Sequence, residues 1–177
     1  MRHIPNLISV MRILLIAPIA VALAQHRFSI ALGLFAVAVL SDAADGFLAK
    51  RFGWQSELGA VLDPLADKLL LATALITLSS MRLVPLWLTA SAVVRDVIIV
   101  FGAVIYRYVV GALEVRPSMV SKLNTLCEAA FILAVIGAVE FSLPPPWLVV
   151  SLGALTFATV VVSGIDYVLI YGRRARS

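Results

Sequence analysis

Residues 41–68 read SDAADGFLAKRFGWQSELGAVLDPLADK, and they set four aspartates between two long apolar runs. The centre of the stretch, KRFGWQS at 50–56, is a polar break with a glycine, so the aspartates fall at the end of one helix and the start of the next. Asp42 and Asp45 are three residues apart and Asp63 and Asp67 four apart. At helical periodicity each pair then shares one face. A short break lets the two helices run antiparallel and turn both pairs toward one point.

The rest of the chain is far more apolar than a soluble domain. Of 177 residues 62% are hydrophobic and 14% charged, with mean hydropathy +1.06, where soluble domains run near ~45–50% and ~25%. Apolar segments long enough to cross ~30 Å of hydrocarbon fall at about 5–24, 28–47, 58–80, 85–107, 121–141 and 146–171. The expected fold class is therefore all-α: a polytopic membrane protein of six transmembrane helices, organised as one domain over residues 1–177. The breaks between them include SLPPPW at 142–147, whose prolines cannot continue a helix. Pro64, if helical, would clash with the carbonyl of Ala60 and kink the third helix beside the acids.

Charge sets the expected orientation, since Lys and Arg in short loops are retained on the cytoplasmic side. Six spans leave Arg2, Lys50, Arg51, Arg107, Arg116, Lys122, Arg173, Arg174 and Arg176 on one side and Arg27 and Arg82 on the other. Both termini and the aspartate-rich stretch are thus expected at the cytoplasmic face. The net charge of +4 is spent at the ends of apolar segments, so no nucleic-acid partner is expected. LLIAPIAVALA before Gln25 resembles a signal-peptide core, but Arg12 interrupts its approach, and the segment is read as the first span. The single Cys127 excludes an intrachain disulfide and reads as a packing residue.

Carboxylates near lipid are costly and usually face a cavity and a partner. Four together would repel one another unless a cation lay between them. An oxygen-only set suits Mg²⁺, Mn²⁺ or Ca²⁺ rather than zinc. Gly46, Ala49 and Gly59 line the acidic faces without bulk, so a large ligand can approach there, and Lys50 and Arg51 stand beside them where a phosphate would be held. The plainer reading of each residue singly is close helix packing for the small residues and topology anchoring for the cations.

Taken together, the pattern resembles the CDP-alcohol phosphotransferases, whose motif D-x2-D-G-x2-A-R-x8-G-x3-D-x3-D is matched by Asp42, Asp45, Gly46, Ala49, Gly59, Asp63 and Asp67. Lys50 stands where the family usually has Arg, replacing a planar bidentate donor by a point charge. PNLISVMR at 5–12 is similar to the family's N-terminal pattern, with Asn6, Ser9 and Arg12 in place. The resemblance implies transfer of a substituted phosphate from a CDP-linked donor, typically CDP-diacylglycerol, to an alcohol with release of CMP, in a membrane-bound homodimer that uses two Mg²⁺ or Mn²⁺ ions. Asp42, Asp45 and Asp63 would then be metal ligands, and Asp67, also within reach of metal, the base. Gly46, Ala49 and Gly59 would make room for the cytidine, and Lys50 would touch a phosphate.

The acceptor is expected at Arg95 and Asp96 in the fourth helix and at Arg116, Ser118, Ser121, Lys122, Asn124 and Thr125 where the fifth begins, with Arg95, Arg116, Ser118, Lys122 and Thr125 the leading candidates. Adjacent Arg95 and Asp96 inside a span can equally neutralise one another or bond to neighbouring helices. RD at 95–96 followed by RPSMVSKLNT at 116–125 resembles the branch whose acceptor is phosphatidylglycerol, giving cardiolipin. The alternative branch, which acts on glycerol 3-phosphate, more often shows Arg-Glu and a Gly-Lys-x-Lys-Thr run. A cation transporter using intramembrane acids is the alternative from another class. It predicts acids at mid-membrane on several helices, whereas the main cluster here lies on two consecutive helices, with Glu140 and Asp166 isolated.

Overall fold

In the computed structural model the backbone is described for residues 4–52, 57–110 and 119–174, and side chains for 10–42, 65–102 and 119–166. Among the described residues the chain is entirely helical. Six helices follow in order: α1 (Ile4–Ala24), α2 (Phe28–Phe52), α3 (Glu57–Ser80), α4 (Leu86–Val110), α5 (Met119–Phe141) and α6 (Pro146–Arg174). The shortest has 21 residues, about 30 Å at ~1.5 Å per residue.

The helices begin close to where the apolar runs begin, but several outlast them. α2 continues to Phe52, past the acids and Lys50, and α4 and α6 likewise extend into polar sequence. A helix ends at a breaker or a cap rather than where hydropathy falls, and GFLAKRF contains no proline. α3 is helical across Pro64.

Three short turns, 25–27, 81–85 and 142–145, join α1 to α2, α3 to α4 and α5 to α6. Each contains a non-glycine residue in the left-handed region: His26 (φ 58°), Arg82 (φ 61°) and Ser142 (φ 56°). In the first, the amide of Arg27 donates to the carbonyl of Ala22 at 2.8 Å, and in the second that of Leu83 donates to Leu78 at 3.0 Å. These bonds reach back five residues and satisfy carbonyls that the helix end would leave open.

α1 packs against both α2 and α3, α5 against α6 and α2, and α4 against α6 and α3. The core carries Phe35 from α2, Leu71, Leu75 and Leu78 from α3, and Ile132 and Ile136 from α5, all at most 2% exposed. Large apolar side chains cover the outside as well: Leu14, Leu40, Phe101, Leu126 and Val150 are each more than 60% exposed. An apolar exterior this broad is not that of a soluble monomer. Among the described residues, Met119–Phe141 and Pro146–Asp166 are long and apolar enough to cross a membrane, and Val10–Ala24 and Phe28–Asp42 are shorter apolar helices.

The α5–α6 turn folds back tightly on α5. A Cβ added at Gly137 would stand 2.9 Å from the carbonyl oxygen of Leu143, while one at Gly33 in α2 would meet nothing within 4 Å. Gly137→Ala should therefore lose about 1–3 kcal/mol of stability, a fall of several degrees in apparent Tm in detergent. Gly33→Ala should be neutral or gain up to ~1 kcal/mol from helix propensity. Equal shifts for the two variants would contradict the close approach at Gly137.

Candidate active site

Antiparallel hairpins closed at 25–27, 81–85 and 142–145 gather at their opposite end the C-terminal part of α2, the first half of α3, the second half of α4, the start of α5 and the last turns of α6. The buried charges of the described chain, Arg12, Arg95 and Glu128, lie in the middle stretches of α1, α4 and α5. The first is Arg12 of α1, 1% exposed, paired through Nη2 with Oδ1 of Asp42 on α2. Asp42 is 42% exposed, and the preceding Ser41 turns its hydroxyl back to the Val37 carbonyl at 2.7 Å. Asp67 of α3 lies within electrostatic reach of Asp42, Arg12, Lys68 and Asp96. Two of the four aspartates, one from each pair, are thus close enough to feel one another's charge.

Positions 45 and 63 lie in α2 and α3, one helical turn from Asp42 and Asp67 respectively. The side chains of Asp45, Ala49, Lys50 and Asp63 and the surroundings of Gly46 and Gly59 lie outside what is described, although their backbone is helical; Arg116 and Ser118 lie outside the described residues altogether. The described residues contain no group of three or more metal-ligating side chains, since only Asp42 and Asp67 of the acidic set are among them. What is described fits a hard divalent ion. The donors are carboxylate oxygens from two helices, one is open to solvent, and the site already draws a cation in Arg12.

A second polar cluster joins four helices next to the first. Lys68 of α3 pairs with Oδ1 of Asp96 on α4. Arg95, 4% exposed at its side chain, gives Nη1 to the same oxygen at 2.5 Å. Its Nη2 donates to Ser121 of α5 at 3.0 Å and to Ser163 of α6. Both possibilities raised by the Arg95–Asp96 dipeptide are therefore realised: the two neutralise one another and also tie neighbouring helices. Below them Asn124, fully buried, donates to Glu128 at 2.7 Å and accepts from Thr159 of α6 at 3.0 Å.

The acceptor candidates divide accordingly. Arg95 is embedded in the cluster. Thr125 is half-buried and donates to the Ser121 carbonyl at 3.3 Å, and Lys122 is exposed at the start of α5. Glu140 is not isolated, because Ser29 of α2 donates to it. Lys68 and Glu128 carry no weight when the sequence is read alone. Their signal was available in the chain itself: a lysine directly after Asp67, and Asn124 and Glu128 at i, i+4 in an otherwise apolar helix.

Comparison with known proteins gives the frame for this geometry. The sequence model of the CDP-alcohol phosphatidyltransferase family matches residues 2–170. Human cardiolipin synthase (CMP-forming) is 32% identical over 187 aligned residues, which cover 97% of this chain and 62% of the human protein. A probable phosphatidylglycerophosphate synthase of Mycobacterium tuberculosis is 32% identical over 175 residues, covering 94% of this chain and 80% of the relative. A rice chloroplastic CDP-diacylglycerol–glycerol-3-phosphate 3-phosphatidyltransferase is 31% identical, with 97% and 59% covered. The chain thus spans about three-fifths of the human relative it matches.

Asp96 is the common partner of two cations, and both lose their charge partner if it is removed. Asp96→Ala should cost about 3–5 kcal/mol, the usual penalty for a buried charge left unpaired. Thermal unfolding in detergent checks this, and an apparent Tm within 2 °C of the parent would show that Lys68 and Arg95 find water instead.

Proposed function

Because the chain belongs to the CDP-alcohol phosphatidyltransferase family, we propose that it transfers a phosphatidyl group from CDP-diacylglycerol to an alcohol, releasing CMP, as one catalytic unit over residues 1–177. The observation that supports this reading is that Asp42 and Asp67, from the two halves of the motif, lie within electrostatic reach of one another in an otherwise apolar bundle. Asp42, Asp45 and Asp63, with Asp67, hold two Mg²⁺ or Mn²⁺ ions. Bound there, the ions supply charge neutralisation on the diphosphate and on the departing CMP.

The remaining steps fall to the chain's own residues. Gly46, Ala49 and Gly59 leave space on the acidic faces for the cytidine, and Lys50 holds a phosphate oxygen as a point charge. Asp67 takes the proton of the acceptor hydroxyl. That oxygen bonds to the phosphorus bearing the diacylglycerol as the bond from this phosphorus to the CMP oxygen breaks, so CMP departs with the electron pair. The acyl chains stay against the apolar exterior, which explains why the acids stand in a bundle of this kind.

The acceptor is phosphatidylglycerol, giving cardiolipin; glycerol 3-phosphate is the second reading, supported by the relatives named for phosphatidylglycerophosphate synthesis. Lys122, exposed at the head of α5, with Arg116, Ser118 and Thr125, brackets the acceptor phosphate, and Arg95 forms the wall behind it. All six helices span the membrane, a bacterial-type inner membrane, with both termini and the active site at the cytoplasmic face. The cation distribution supports that orientation. A homodimer is the expected assembly.

Purified protein in detergent should release CMP from CDP-diacylglycerol only when Mg²⁺ or Mn²⁺ and an alcohol are present. Asp42→Asn, Asp45→Asn, Asp63→Asn and Asp67→Asn should each lower turnover at least ~10²-fold. A fully active Asp63→Asn enzyme, or an undiminished rate in excess EDTA, would overturn the metal-dependent reading; Lys50→Arg should remain active.

Phosphatidylglycerol should be used more efficiently than glycerol 3-phosphate, inositol phosphate or serine, with products identified by mass. Lys122→Ala should raise the acceptor KM roughly 10- to 150-fold, the loss of one charge-assisted phosphate contact, with little change in the donor KM. The reverse split would remove Lys122 from the acceptor site.

A further inference from the structure

Arg12 is 1% exposed and meets one carboxylate through one nitrogen. Its Nε and Nη1 are buried and meet no hydrogen-bond partner among the described residues. A guanidinium offers five donors, and leaving two nitrogens unmet in a dry place is unfavourable. Packing alone does not explain it, since a leucine would fill an apolar helix interface without that penalty. Its position does. α1 lies against both α2 and α3, and Arg12 is in the field of Asp67 as well as in contact with Asp42. One fixed cation thus stands between the two acid-bearing helices.

Resting on the function proposed above, we infer that Arg12 is a positioning residue: a built-in counter-charge that holds the acidic ends of α2 and α3 together before divalent ions arrive. It acts through Asp42, fixing that carboxylate on the α1 side and offsetting the repulsion between Asp42 and Asp67. Incoming ions take over the same work. The nitrogens of Arg12 are closed off from solvent, so its part is to shape the acid cluster rather than to touch a substrate. α1 thereby becomes part of the active site and is more than a membrane anchor.

The test is a charge cycle on the full-length protein in detergent with EDTA, reading apparent Tm. Arg12→Gln should lower it by on the order of 10 °C, and Arg12→Lys should recover part of the loss. Asp42→Asn should lower the Tm of the parent, where it removes Arg12's partner, but raise that of Arg12→Gln, where it removes repulsion. Saturating Mn²⁺ should stabilise Arg12→Gln more than the parent. If Asp42→Asn lowers both backgrounds alike, or Arg12→Gln leaves the Tm unchanged, Arg12 is a packing residue and the inference fails. If the cycle behaves as expected but Mn²⁺ stabilises neither protein and none is bound by electron paramagnetic resonance, the metal reading fails while the role of Arg12 in the acid cluster stands.

Discussion

Charge inside an apolar bundle has to be met by charge or by fixed dipoles, and this constraint organises the molecule. Three carboxylates of the described chain are met directly: Asp96 answers two cations, Glu128 is met by the amide of Asn124, and the half-exposed Asp42 by Arg12. Each partner comes from another helix or from a neighbouring turn, so satisfying the charges also fixes how the helices sit. Lys68–Asp96–Arg95 links α3 to α4, and the two serines extend the link to α5 and α6. The apolar packing elsewhere is permissive by comparison, because leucine against leucine specifies little and lipid competes equally well for either face.

The polar end is consequently built from two adjoining parts with different chemistry. Around Asp42 and Asp67 negative charge accumulates and is only partly offset, which is a demand for cations. Around Arg95 the charges are nearly balanced and both terminal guanidinium nitrogens are committed, which makes a stiff wall. The function proposed above calls for both. One region must attract ions and a leaving nucleotide, and another must keep its shape while the acceptor approaches.

Helices and their order are legible in the chain because hydropathy and breakers act locally; the apolar runs and the turn at 142–145 are cases in point. Helix ends are less so: α2 outlasts its apolar run, and nothing but a capping or breaking residue would have stopped it. The turns at His26 and Arg82 adopt left-handed backbone without glycine, so composition offers no sign of them. At the site, the aspartate spacing is readable because both members of each pair lie within one helix. Arg12 is readable only in part: in one dimension it interrupts a span and fits the N-terminal pattern of the resemblance, but its partner Asp42 is thirty residues away along the chain. The partners of Arg95 are more distant still, at Ser121 and Ser163, and no local periodicity connects them.

Between the polar end and the three turns, the interior is filled by Phe35, Leu71, Leu75, Leu78, Ile132 and Ile136. Beside that stack runs a thinner set of buried polar groups, Thr89, Asn124, Glu128, Thr156 and Ser163. Leucine and phenylalanine fill space without offering a hydrogen bond, so a polar group set among them can be satisfied only by another, as Asn124 is by Glu128 and Thr159.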